Sequence, residues 1–254
     1  MQCVSDLGNL RNLLLTIQYD GRSFHGWQIQ QNALTVQEVF QNALKSVVGE
    51  FSGLKGCSRT DSGVHAIMYC VSVKLSHPIP AHRLKNALNS YLPDEVVCID
   101  CVEVDDSFHA RYDCKGKQYV YKIWNSQTRN PFLNGYALHY RYQLDEKLLD
   151  KASQAFVGKH DFISFCTLDK REKGDFVRNV RMFSVKREGE LVTMTVEADG
   201  FLYNMVRIMV GTLLEINQGK IAPDAIAGII EEKNRAAAGA TAPACGLYLN
   251  KVFY

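Results

Sequence analysis

Residues 57–75 read Cys-Ser-Arg-Thr-Asp-Ser-Gly-Val-His-Ala-Ile-Met-Tyr-Cys-Val-Ser-Val-Lys-Leu. The end of this stretch alternates, with Val71, Val73 and Leu75 on one face and Ser72 and Lys74 on the other, the period of a half-buried β-strand. Its beginning packs an arginine, a carboxylate, hydroxyl side chains and a glycine into a few positions. A rigid strand would hold a polar loop in which Asp61 lies two residues from Arg59, one way to keep a carboxylate ionised and aimed. Asp, Ser and Gly also suit ordinary turns, so the loop alone decides nothing about chemistry.

Working outward, Leu13 to Tyr19 reads as a strand ended by Asp20-Gly21. Thr35, with Glu38 three residues on, has the form of a capping box. Val36, Val39, Phe40, Ala43, Leu44 and Val47 then follow the helical period. Pro80 introduces a second helix carrying Leu84, Ala87, Leu88 and Tyr91, closed by Pro93. Val96 to Val104 is another strand. This half alternates strand and helix, enough for an open sheet covered on one side.

The second half has a similar outline. Lys117 to Asn125 is strand-like, with Tyr119, Tyr121 and Ile123 sharing a face. Leu148, Leu149, Ala152 and Phe156 mark a helix. Arg178 to Arg187 and Leu191 to Ala198 form a hairpin around Glu188-Gly189-Glu190. A helix from about Leu202 buries Met205, Met209, Leu213 and Ile216, another starts near Pro223, and Leu247 to Phe253 returns as a strand. The pattern predicts an α+β protein of two similar halves joined near residues 105–112, without a residue-level repeat.

Composition narrows the class. The chain has 254 residues, 46% of them hydrophobic, enough for a real core in one large or two ordinary domains. A net charge of +2 from 29 basic and 27 acidic side chains excludes a histone-like polycation but leaves room for a local basic surface. No secretory signal or bilayer-length apolar run is evident, so an intracellular, cytoplasmic protein is expected. The 8 cysteines read as free thiols. Cys98 and Cys101 form a lone C-x-x-C, without the second pair a structural zinc site needs. In a regular strand, residues three apart point to opposite faces.

Four segments concentrate unusual side chains. Tyr19-Asp-Gly-Arg-Ser-Phe-His-Gly-Trp-Gln28 mixes aromatics, glycines and a base. Exposed, such rings stack on unpaired bases; alternatively Phe24 and Trp27 plug the core. The Arg59–Asp61 loop is the second. Third, Phe108-His-Ala-Arg111 leads to Tyr119, with Arg111, Lys115, Lys117 and Lys122 interleaved among Tyr112, Tyr119, Tyr121 and Trp124, either a surface for single-stranded or looped nucleic acid or a solvated strand face. Fourth, Phe201-Leu-Tyr-Asn-Met-Val-Arg207 places Arg207 beside a buried stripe, where an unpaired charge is costly and a carboxylate partner is wanted.

The motifs Tyr-Asp-Gly…Phe-x-Gly-Trp-Gln-x-Gln, Arg-Thr-Asp-x-Gly-Val-His-Ala, Phe-His-Ala-Arg, Tyr-Val-Tyr at Tyr119 and Phe-Leu-Tyr-Asn-Met-Val-Arg occur in the order and spacing of the TruA family. The chain resembles that family from Leu13 to Gly-Leu-Tyr-Leu near the C-terminus. The resemblance implies the pseudouridine synthase fold: two ferredoxin-like halves with antiparallel sheets around a central cleft. The expected division is residues 1–106, with the aspartate loop, and 107–254, with the tyrosine and the arginine. It implies isomerisation of uridine to pseudouridine in the tRNA anticodon stem-loop, at positions 38 to 40. A homodimer with RNA lying across both subunits is implied too, and neither metal nor organic cofactor.

By position Asp61 corresponds to the catalytic aspartate, Tyr119 to the tyrosine stacked on the uracil, and Arg207 to the arginine paired with the aspartate. Arg59 falls where a basic residue helps flip and place the nucleotide. Ser62 stands where many members have Ala, and Ser58 where many have Gly. Attack of Asp61 at C1′, attack at C6 and abstraction of the 2′ proton all use the same carboxylate. An RNA-binding scaffold without chemistry, and a thiol or zinc enzyme centred on Cys98 and Cys101, are the alternatives. The charged run 169–175 is read as an RNA-gripping loop or a solvated connector.

Overall fold

The computed structural model describes residues 10–168 and 174–254, so most of the charged run, 169–173, lies outside the described residues. The chain forms two compact units, one of Met1–Lys115 together with Lys251–Tyr254, the other of Gly116–Asn250. Both are α+β with predominantly antiparallel pairing. No helix among the described residues is long and apolar enough to cross a membrane.

In the first unit β1 (Arg11–Tyr19) lies between β4 (Val96–Val104) and β3 (His65–Leu75), and β2 (Ser52–Gly56) pairs with β3. The registers Leu13↔Val73, Leu15↔Val71 and Ile17↔Tyr69 put the apolar alternation of both strands on one buried face. Helix α1 (Val36–Val48) adds Val36, Phe40, Ala43, Leu44 and Val48, and α2 (Ala81–Asn89) adds Leu84 and Leu88. Thr35 caps α1 as read, its Oγ1 accepting from the Glu38 amide at 3.4 Å. Tyr91 does not join α2, which ends at Asn89; its ring is 59% exposed.

Strand β4 corrects the expected opposite orientation of Cys98 and Cys101, while both remain free, buried thiols as read. Thr16 pairs with Asp100 but Ile17 with Cys98, so Ile99 is an extra residue, a β-bulge. The bulge resets the alternation, and Cys98 and Cys101 both face the core, opposite Ile17 and Leu15.

In the second unit β5 (Gly116–Trp124), β9 (Leu191–Ala198), β8 (Val177–Glu188) and β7 (Gly158–Asp161) are neighbours in that order, with β6 (Leu138–His139) on β5. The predicted hairpin is present: Glu188 pairs with Leu191, and Gly189 takes the left-handed φ of +61° that a two-residue turn requires. Asn250, in β10 (Leu247–Phe253), donates to the Gln118 side chain at 2.7 Å. Helix α3 (Glu146–Ser153) is shorter than the apolar spacing predicts, Phe156 falling in a following 3-10 turn. Helix α4 (Met205–Asn217) begins three residues later than expected and is buried on nearly every side, not along one stripe. Helix α5 (Ile226–Glu232) follows it.

Candidate active site

Asp61 sits in the β2–β3 connection, and the residues on either side of it are tied down. Thr60 is buried, and its hydroxyl shares a 2.8 Å hydrogen bond with the Tyr19 phenol. The Thr60 carbonyl accepts from the Trp27 amide at 3.3 Å. Beyond Asp61, the Gly63 amide donates to the Phe24 carbonyl at 3.2 Å, and the Val64 amide returns to the Asp61 carbonyl at 3.2 Å. That last bond closes a turn with Gly63 in third position at a φ of +77°, which glycine adopts without steric cost. Asp61 itself is half-buried and Arg59 exposed. The loop is therefore the turn its composition allows and also a rigid mount for one carboxylate.

The 19–28 segment supplies the clamp, and its glycines explain how. A Cβ on Gly26, whose φ is +83°, would overlap the Thr60 carbonyl oxygen; one on Gly21 would overlap that of Val64. Only backbone without side chains fits this close. Trp27, 4% exposed, stacks on Tyr69 with ring centroids 4.2 Å apart. A Cβ on Gly56 would come within 2.7 Å of the Trp27 Nε1. Phe24 is equally buried, so these two rings are core, and the base-stacking reading of the segment is not supported at them. Arg22 is held by Asp20, its Nε and Nη2 donating to that carboxylate at 2.9 and 2.6 Å. The Tyr69 hydroxyl donates to the Ser58 carbonyl. Ser58 is not among the residues with positive φ, so serine meets the backbone demand there as well as glycine would.

The Phe108–Arg111 segment is anchored to the first unit's sheet. The buried Asn12 amide donates to the carbonyls of Asp105 and Phe108, both at 2.8 Å. Ser72 accepts from the Ala110 amide at 3.1 Å, and the Tyr254 hydroxyl donates to the Ala110 carbonyl at 2.9 Å. Arg111 and Tyr112 are exposed, and the Tyr112 ring stacks on His109 at 4.2 Å.

In the second unit Tyr119 stands on β5 opposite Val196, 6% exposed, with its ring edge-on to Phe201 at 5.0 Å. Tyr121, on the same face, is core: its hydroxyl donates to the Pro243 carbonyl at 2.8 Å, and burial raises its pKa. Lys117 is nearly buried and Lys122 lies 4.2 Å from the Tyr248 ring centroid, so the interleaved pattern is not a uniform exposed stacking surface.

Arg207 occupies the first turn of α4 and is half-buried. Its Nε donates to the Ala242 carbonyl at 2.7 Å and its Nη1 to Asn204 Oδ1 at 2.8 Å. These two acceptors carry no signal in the sequence. Ala242 belongs to a strap over α4: Thr212 and Glu215 accept from the amides of Gly239 and Ala240, both at 2.9 Å. Gly211 and Gly239 make the approach possible; a Cβ on Gly239 would lie 2.7 Å from the Thr212 Cα. Arg235 binds the Ala238 and Gly239 carbonyls at 3.2 and 3.0 Å.

The thiols are a separate matter. Burial pushes Cys98 and Cys101 up to about 12, leaving them protonated and unreactive near neutrality. Among the described residues, no three His, Cys, Asp or Glu side chains are grouped to hold a metal ion.

An α+β chain that presents one carboxylate from a clamped glycine-bearing loop and holds an arginine at two points has the elements of an acid–base or nucleophilic catalyst. A family model described as tRNA pseudouridine synthase matches residues 15–113 and 152–254. The tRNA pseudouridine synthase A of a Thermoanaerobacter species is 44% identical over 245 residues, covering 96% of this chain and 100% of that protein. That of Acetivibrio thermocellus is 46% identical over 245 residues, with the same coverage. A tRNA pseudouridine synthase A 2 of Bacillus anthracis is 41% identical over 244 residues, 96% of this chain and 99% of that one. This chain belongs to the tRNA pseudouridine synthase family, whose members are isomerases.

Proposed function

We propose that the chain isomerises uridine to pseudouridine at positions 38 to 40 of the tRNA anticodon stem-loop, in the cytoplasm and as a homodimer. The reaction breaks the N1–C1′ bond and makes a C5–C1′ bond; a proton leaves C5 and N1 gains one, so atoms and electrons balance without any co-reactant. The target nucleotide must first leave the stack, at a cost of a few kcal/mol. Arg59, exposed beside the aspartate, is assigned to placing it. Asp61 supplies the carboxylate that starts the reaction, by attack at C1′, attack at C6 or removal of the 2′ proton. Tyr119 stacks on the uracil while it turns, and its phenol is suited to help remove the C5 proton. Arg207 is assigned to holding a carboxylate in its ionised form, as a positive charge does when it pairs with one.

The observation that carries this reading is the clamped loop: the neighbours of Asp61 are fixed while Asp61 remains half-exposed. Incubating the protein with an unmodified tRNA anticodon arm, followed by mass spectrometry of the digest, tests it. Pseudouridine at one or more of positions 38 to 40 is expected. Tight, salt-sensitive binding with no isomerised base would favour the scaffold instead.

A further inference from the structure

We infer that Asn204 is a positioning residue that sets the orientation of the Arg207 guanidinium, an inference that rests on the role proposed above for Arg207. Asn204 is one of two non-glycine residues among those described with positive φ, at +61°; the other, Lys233, closes helix α5. Left-handed residues are common after a helix, but Asn204 comes before one, where an extended cap is usual. Its side chain makes no capping hydrogen bond to α4. Glycine would take this conformation at less cost, so the amide has another use.

That use is visible in its partners. Oδ1 accepts from Arg207 Nη1 at 2.8 Å, and Nδ2 donates to Thr167 Oγ1 at 3.0 Å. Because arginine can only donate, the amide orientation is fixed. The Ala242 carbonyl holds Nε at 2.7 Å and Asn204 holds Nη1, and contacts at two different nitrogens together define the guanidinium plane. Anchored through Thr167, Asn204 is itself held against rotation.

The substitution Asn204→Gly separates this role from a structural one, because glycine suits the backbone. The expected result is a melting temperature equal to or above wild type and unchanged tRNA affinity. The single-turnover rate of pseudouridine formation should fall roughly tenfold to a hundredfold, as misplacement of a working group does. In an Arg207→Ala background the same change should cost nothing further. Asn204→Asp, which keeps an acceptor for Nη1, should restore most of the rate. A wild-type rate in Arg207→Ala would refute the role of Arg207 itself. If Arg207→Ala is slow, three results overturn the inference: a wild-type rate in Asn204→Gly, equal losses in both backgrounds, or an Asn204→Asp rate as low as the glycine variant's.

Discussion

Gly26 and Thr60 meet backbone to backbone, so closely that a Cβ on Gly26 would overlap the Thr60 carbonyl oxygen. The same oxygen accepts from the Trp27 amide. The residue before Asp61 is thus located by a segment more than thirty positions earlier in the chain, and the position of the carboxylate depends on a glycine that does no chemistry.

Gly26→Ala should therefore damage both stability and activity. Alanine is strained at a φ of +83° and must push the Thr60 backbone away. The expected cost is about 1–3 kcal/mol in urea unfolding, with a single-turnover rate depressed even where the variant is fully folded. Activity at the wild-type level would show that the clamp does not matter to Asp61.

Tyr19→Phe tests the side-chain half of the clamp. Removing the phenol leaves the buried Thr60 hydroxyl without the 2.8 Å partner the structure gives it. A loss of about 1–3 kcal/mol is expected, together with a slower rate at unchanged tRNA affinity. Weaker tRNA binding at an unchanged rate would place Tyr19 in RNA recognition instead.

Alkaline stability follows from the buried thiols. Cys98 and Cys101 are raised from about 9 to about 12, so the folded state keeps protons that the unfolded chain gives up. Their contribution is complete below about pH 9 and is lost as pH rises toward 12. Each thiol steepens the decline by about 1.4 kcal/mol per pH unit in that window. Comparing wild type with Cys98→Ala by urea unfolding between pH 9 and 11, the variant should lose stability less steeply. Parallel slopes would mean the thiol is not desolvated.

The elements with strong local signals were legible in the sequence: the Thr35 cap, the Gly189 hairpin and β10, whose limits match the expected strand from Leu247 to Phe253. Strand β2, Ser-Gly-Leu-Lys-Gly, escaped because two glycines in five residues carry no alternation, and β6 because two residues show no period. The shared orientation of Cys98 and Cys101 was illegible because Ile99 bulges, a choice made by pairing with β1 rather than by β4. Residues able to carry chemistry could be named from their motifs, but their supports could not. Thr60, Asn204 and Ala242 act through geometry that only the folded backbone reveals. The one available hint was the presence of Gly21, Gly26 and Gly63: the first two meet the Val64 and Thr60 backbones and the third takes a positive φ.

The assignment of Asp61 stands most directly on one comparison. Wild type and Asp61→Asn are incubated with saturating unmodified tRNA, and pseudouridine is quantified by mass spectrometry of the digested RNA, with tRNA affinity measured alongside. Product abolished with affinity retained is the expected result. A normal pseudouridine yield from Asp61→Asn would contradict the proposal that this carboxylate starts the reaction.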